Sequence, residues 1–388
     1  MQPIEFDQVI PRKNTDSLKW EGSRQKFGTE VFPMWVADMD FAVAEPIAQA
    51  LAMRLQHPVF GYPDQDQQVQ QAAQHWWQTT YGWKTDAEEI LLVQGVVPAL
   101  FAAVRAFSKV GDGIILLPPI YPPFFHAIAD QDRRMLSVPL RQDNQGRYHL
   151  DFSLLAQSLP KARMLLFCSP HNPVGRVWEE AELQELGKLC QRHGVMVVSD
   201  EIHADLTWAP AVHTPMGKII PESLVLAAVS KSFNVAGLGG AVAWLAGGVP
   251  RDRYLAELRR TGILGTNTMA KTAMVAAWRE GGPWLGALCK YLAENGQVIQ
   301  GFLRQELPLV QFLLPEFGYL AWLDLRALGW SDETLQKRLI AAGLGLNWGP
   351  SFGSEGSGFV RLNFGTPRTL LHRGLALLGK GLGNQADS

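Results

Sequence analysis

A chain of 388 residues, 47% hydrophobic and 19% charged, holds more than two domains' worth of sequence at roughly 150 residues each. One large core plus a smaller unit is expected, and a stapled mini-protein or a disordered chain is excluded. A formal net charge of −2 supplies no whole-chain field for a polyanion or an anionic membrane, so no nucleic-acid or membrane partner is expected.

Residues 1–45 show little periodicity and are expected to pack over the rest as an N-terminal segment. Polar Met1 to Trp20 has no apolar run of a signal peptide. Cys168, Cys190 and Cys289 lack metal-ligand spacing and fit reduced thiols, so a cytoplasmic protein without metal or disulfide is expected. The Gln-rich run from Asp64 to Gln74 leads into His75-Trp76-Trp77 and reads as one polar-faced helix.

From about residue 90, short apolar β-branched runs alternate with helical segments, the pattern of parallel βαβ units. Strands are predicted at Ile90 to Gln94, Gly113 to Leu117, Arg134 to Val138, Arg163 to Phe167, Val195 to Ser199, Ser223 to Val229 and Ala241 to Ala246. Together they predict an α/β domain on a mostly parallel seven-stranded sheet. Ser232 to Pro250 carries no charge and imitates a membrane span, but its glycines, Asn234 and Pro250 break it. Helices follow at Asp252 to Arg260, Ala270 to Arg279 and Pro283 to Glu306. Strands at Gln311 to Leu314, Tyr319 to Leu325 and Gly358 to Asn363, with helices at Asp332 to Ala342 and Arg368 to Leu378, predict a smaller α+β C-terminal domain. The expected division is 1–45, 46–285 and 286–388.

Ligands of open parallel sheets bind beyond the carboxyl ends of the strands. Gly95-Val96-Val97-Pro98 opens an apolar helix, so it is either a plain turn or a set of free N–H groups for an anion. Asn172 stands between Pro170 and Pro173 in a rigid turn that limits where its amide points. Asp200 ends a buried strand, where a carboxylate needs a cation. Asp200, His203 and Asp205 could also be metal ligands, a set too sparse to define a site. Lys231 follows another apolar strand, and is either a snorkelling surface residue or an amine desolvated for Schiff-base chemistry.

Asn172, Asp200 and Lys231 recur about one βα unit apart, which puts all three on one sheet edge beside Gly95. An anion cradle, a buried carboxylate, an amide and an amine together fit pyridoxal phosphate. In that reading Lys231 holds its aldehyde, Asp200 keeps its ring nitrogen protonated and Asn172 bonds its phenolic oxygen.

The ordered motifs resemble the fold type I pyridoxal-phosphate enzymes of the aminotransferase class I/II group. Within it they are similar to the MalY/PatB-type cystathionine β-lyases (C-S lyases). The resemblance runs nearly end to end, through Asn14-Thr-x-Ser-x-Lys19-Trp20, Trp35-Val-Ala-Asp-Met-Asp40-Phe41, Phe60-Gly61-Tyr62, Gly95-Val96-Val97, Ser169-Pro-His-Asn-Pro-Val-Gly-Arg176-Val-Trp178, Ser199-Asp-Glu-Ile-His203-Ala-Asp, Ser230-Lys-Ser-Phe-Asn-Val-Ala-Gly-Leu238 and Phe359-Val-Arg-Leu-Asn363.

The resemblance implies that Tyr121 stacks on the cofactor ring and that Tyr62 reaches the phosphate of a neighbouring subunit, making a homodimer the active unit. It implies that His203 donates to the phenolic oxygen, with a tautomer that adds a pH dependence, and that Arg361 clamps the substrate α-carboxylate. Trp35, Val36 and Ala37 would close over that carboxylate, to which Tyr62 and Asn172 also belong. Gly239 stands where many of these enzymes carry a phosphate-binding arginine, so the phosphate would rest on the Gly95 to Val97 amides, Ser230 and Tyr62.

The implied reaction is β-elimination from L-cystathionine and other S-substituted L-cysteines, giving homocysteine or another thiol, pyruvate and ammonia. It would place the enzyme in methionine biosynthesis or sulfur-compound catabolism. The residues alone leave two alternatives open: an aminotransferase, which uses the same lysine, and a regulatory or interaction protein on the same fold.

Overall fold

A computed structural model describes residues 5–64 and 66–383. Residues 1–4 and 384–388, the outer ends of two expected segments, and residue 65 in the Gln-rich run lie outside the described residues.

The seven expected strands all form, as β1 (Ile90–Val93), β2 (Gly113–Leu116), β3 (Arg134–Ser137), β4 (Met164–Cys168), β5 (Met196–Asp200), β6 (Leu224–Ala227) and β7 (Ala241–Trp244). They make one sheet in the order β1-β7-β6-β5-β4-β2-β3. Only β7 runs against its neighbours, so the carboxyl ends of the other six share an edge. Every residue of β1, β2 and β4 is buried, which is why these runs are apolar throughout instead of alternating.

The connections are helices with local start and stop signals. Glu180–His193 begins at a reciprocal capping box between Glu179 and Glu182 and ends at left-handed Gly194, each cap worth about 1 kcal/mol. Its Leu183, Leu186 and Cys190 are buried. On one face of the sheet Ala99, Val104, Leu226, Tyr254 and Leu258 share a cluster. A second cluster joins Trp77, Leu183 and Phe233 through Leu292 to Leu323 and Leu375. The same apolar core therefore continues into the C-terminal part.

There, β8 (Leu320–Asp324), β9 (Asn347–Trp348) and β10 (Phe359–Asn363) form an antiparallel sheet in the order β8-β10-β9. Arg361 lies opposite Trp322 on one side and Asn347 on the other. The 25-residue helix Gly282–Glu306 begins beside the large sheet, with Trp284 stacked on Phe233. Further along it, Asn295 donates to the carbonyls of Phe364 and Thr366 after β10.

Two local expectations differ. Gln311 to Leu314 is no strand: Gln311 makes one isolated bridge to Asp324, and Leu313 remains exposed ahead of Pro315. The N-terminal segment is more regular than its aperiodic sequence suggests. It forms a helix at Gly22–Phe27, and Phe32 and Pro33 pair in parallel with Leu344 and Gly345. Ser232 to Pro250 divides into a turn, a short 3-10 helix and β7, and among the described residues no helix is long and apolar enough to cross a membrane.

Candidate active site

Lys231 sits in the helical turn Val229–Ser232 that follows β6. Its Nζ donates to the carbonyl of Ala37 at 2.8 Å. Burial, then the charge of Arg361, push the ammonium down to about 8, against the pull of Asp38 and Asp200. A nucleophilic neutral amine is thus within reach near neutral pH.

Asp200 is the last residue of β5, in register with Cys168 of β4 and Leu226 of β6. Its Oδ1 accepts from the Ile202 N–H at 3.1 Å. Burial pushes this carboxyl up to about 7, with Lys231 opposing the shift. No cation among the described residues forms an ion pair with it, so the buried carboxylate still lacks the partner its burial demands.

Arg361 projects from β10. Its Nη1 donates to Asn172 Oδ1 at 2.9 Å, and Nη2 to the Trp35 carbonyl and Asn347 Oδ1. The guanidinium lies 4.9 Å from the centre of the Phe352 ring, and its buried Nε has no partner. With its carbonyl end held by Arg361, Asn172 has its NH2 end left to donate.

His203 is buried against Phe317 and Tyr319, with Nδ1 unpartnered. Burial, then Lys231, lower it to about 3. The expected pH dependence of this histidine therefore falls outside the neutral range, because a fully enclosed imidazole stays uncharged there.

At the far end of the sheet edge, Gly95 precedes helix Val96–Phe107, so the Val96 and Val97 N–H groups are first-turn donors without helical acceptors. Gly239 has φ +70°, and a side chain there would meet the Gln94 carbonyl at 3.4 Å. An arginine would need both a left-handed backbone and that close approach. Ser230 lies in the same turn as Lys231, one residue before it. Tyr121 lies near Arg361 and Asp200, and burial raises its phenol. Tyr62 is fully exposed in the single chain, so one chain does not bring it to the site.

Asp205 accepts from Trp76 Nε1 and Ser232 Oγ, bonds that brace the Lys231 turn. Among the described residues no group of His, Cys, Asp or Glu could hold a metal ion.

Sequence reasoning missed the way the N-terminal strap is held. All five carbonyls from Trp35 to Met39 accept side-chain donors: Arg361 on Trp35, Asn363 on Val36, Lys231 and Tyr319 on Ala37, Asn363 and Lys19 on Asp38, Arg12 and Asn234 on Met39. Buried Lys19 also pairs with Asp40 at 2.7 Å. Asn234, Asn363 and Lys19 stood in the motifs without a role. Tyr319 carried no signal beyond beginning an expected strand, and Asn347 lay in a stretch given no element.

Pyridoxal phosphate fits these residues. The uncompensated Asp200 carboxylate suits a cationic ring nitrogen, the Asn172 NH2 and the buried imidazole of His203 suit a phenolate oxygen, and the exposed helix N–H groups suit a phosphate.

A seven-stranded sheet with a lysine, an aspartate and an asparagine on its carboxyl edge defines a fold type I aminotransferase-like protein. The family model for aminotransferase class I and II matches residues 30–377, and the chain belongs to that family. It is 42% identical over 380 residues to cystathionine beta-lyase PatB of Bacillus subtilis (strain 168), covering 96% of this chain and 98% of that protein. Among solved structures it is similar to a PLP-bound putative aminotransferase from Clostridium difficile 630, with TM-score 0.96 and 32% identity, covering 98% and 100% of the two chains. It is also similar to cystalysin from Treponema denticola, which contains a pyridoxal 5'-phosphate cofactor, with TM-score 0.94 and 32% identity, covering 98% and 99%.

Proposed function

We propose that this chain is a pyridoxal-phosphate-dependent carbon–sulfur β-lyase that cleaves L-cystathionine and related S-substituted L-cysteines to a thiol, pyruvate and ammonia. The observation that carries the reading is the cluster of Lys231, Asp200, Asn172 and Arg361 in a chain 42% identical to a cystathionine beta-lyase.

Bound pyridoxal phosphate supplies an electron sink that acidifies the substrate α-carbon. Lys231 would hold the aldehyde, and its free amine would be the base placed to take the substrate α-proton. Asp200 would keep the ring nitrogen protonated, while Asn172 and His203 would bond the phenolic oxygen. Arg361 fixes the α-carboxylate beside Trp35, Val36 and Ala37. A thiolate needs little acid assistance to leave, because thiols ionise near about 8.5.

Tyr121 would stack on the ring. The Gly95 to Val97 amides and Ser230 would hold the phosphate together with the partner subunit's Tyr62, whose exposure in one chain supports a homodimer. Residues 286–388 with the 1–45 segment act as a small domain on the 46–285 unit, and the enzyme works in the cytoplasm.

The test is incubation with L-cystathionine. Keto acid formed in step with free thiol, without an added keto-acid acceptor, supports the lyase. Acceptor-dependent product without thiol makes it an aminotransferase instead. A bound-cofactor absorbance with no turnover of either kind leaves the regulatory alternative.

A further inference from the structure

The Ala37 carbonyl receives two donors at once, Lys231 Nζ at 2.8 Å and Tyr319 Oη at 3.0 Å. A carbonyl oxygen offers two lone pairs, so both fit. Each donor nonetheless draws on electron density that strengthens the other's bond. Tyr319 is 1% exposed, and burial, then the Asp38 charge, raise its phenol far above the usual range. It therefore remains a donor at every working pH.

The carbonyl itself is fixed. Neighbouring strap carbonyls are held by Arg361, Asn363 and Lys19, so Ala37 cannot swing away from the amine it faces.

We propose that Tyr319 is a positioning residue: through the shared Ala37 carbonyl it sets where the Lys231 amine waits, and how readily that amine gives up its proton, whenever it is not bonded to the cofactor. The idea deepens the proposed function and rests on its assignment of Lys231 as the proton-transferring group. It does not depend on which product the enzyme makes.

The physical expectation has a sign. Removing the Tyr319 hydroxyl frees the carbonyl for Lys231 alone, and a charged donor gains more from an undivided acceptor than a neutral one. The ammonium is then favoured. The other charged groups acting on Lys231 are Arg361 from β10, Asp38 from the strap and Asp200 from β5, with His203 neutral beside Tyr319. A substitution at Tyr319 leaves all of them in place.

The test uses Tyr319→Phe in the full chain. First, the cofactor-free protein is titrated by the pH dependence of Lys231 modification with an amine reagent, read by mass spectrometry. The apparent pKa should rise by about half a unit or more. Second, the loaded protein is given L-alanine, which has no β-leaving group, in deuterium oxide. Exchange of its α-proton should slow by about tenfold while its dissociation constant changes less than about twofold.

As a second variant, 3-fluorotyrosine at position 319 keeps the shape with a stronger donor and should lower the Lys231 pKa instead. Shifts of opposite sign in the two variants support the proposal. An unmoved lysine titration in either properly folded variant, or a matched loss of L-alanine affinity and exchange, overturns it. Because neither readout involves a thiol, failure of the lyase reading shows separately, as absence of thiol with α-proton exchange intact.

Discussion

Arg361 Nη1 and Asn172 Oδ1 stand 2.9 Å apart, both residues buried. The bond fixes which end of the asparagine amide is left free, so the proposed carboxylate clamp and the proposed cofactor contact form one unit. Arg361→Lys removes the planar fork that meets Asn172, Asn347 and the Trp35 carbonyl together. The expected loss in kcat/KM for thiol release is about 10²-fold or more, since a hydrogen bond to a charged group contributes about 1.5–3 kcal/mol. Steady-state kinetics with an S-substituted cysteine check it, and a loss below threefold contradicts the clamp.

Lys19 is 1% exposed and its partner Asp40 5%. Burial raises the Asp40 carboxyl, but Lys19, Arg12 and Trp20 together bring it below the usual range. Lys19→Ala leaves Asp40 with less compensation and should cost about 3–5 kcal/mol of stability. Denaturant unfolding measures that cost, and a change under about 1 kcal/mol would show that the strap does not depend on this pair.

The expected path of Tyr62 to the neighbouring subunit is tested by mixing two inactive chains. With Tyr62→Ala and Lys231→Ala in equal amounts, refolded together, half the dimers are mixed and each carries one site with both residues intact. Activity should return to about a quarter of wild type. No recovery from a demonstrated mixed dimer would place Tyr62 in the same chain's site.

Acid sensitivity follows from two enclosed imidazoles. Burial lowers His171 to about 4 and His203 to about 3, while the unfolded chain binds these protons below about 6.5. Their contribution is complete above pH 6.5 and is lost as pH falls towards the folded values. Asp200, raised to about 7, acts oppositely and favours the cofactor-free chain as pH falls from 7 towards 4. His171→Phe should shrink the stability loss between pH 6.5 and 4 by about 3 kcal/mol. Unfolding curves across that range give the answer, and an unchanged pH slope removes His171 as its cause.

The strands and the residues at their carboxyl ends were legible because parallel strands buried on both faces are written as apolar runs, and chemistry follows directly after them. Asn172, Asp200 and Lys231 needed only that regularity. How the strap is held was not legible: its carbonyls are backbone groups that any sequence possesses, and their donors lie as far away as Asn363. Tyr319 reads as an ordinary first residue of a strand, and Asn347 falls in a stretch with no pattern. Only the folded register puts Asn347 opposite Arg361. Gln311 to Leu314 misled because an apolar run before a proline looks like a strand until its exposed Leu313 is seen.

The five occupied carbonyls of the strap have a consequence for the chain as it is made. Lys231 reaches Ala37 across 194 positions, and Arg361 reaches Trp35 across 326. A ribosome-bound chain that has already released its first 250 residues possesses the lysine and the strap but neither Tyr319 nor Arg361. Contacts so distant form late. The contacts around the Lys231 amine are thus complete only after Arg361 has been made, near the end of the chain.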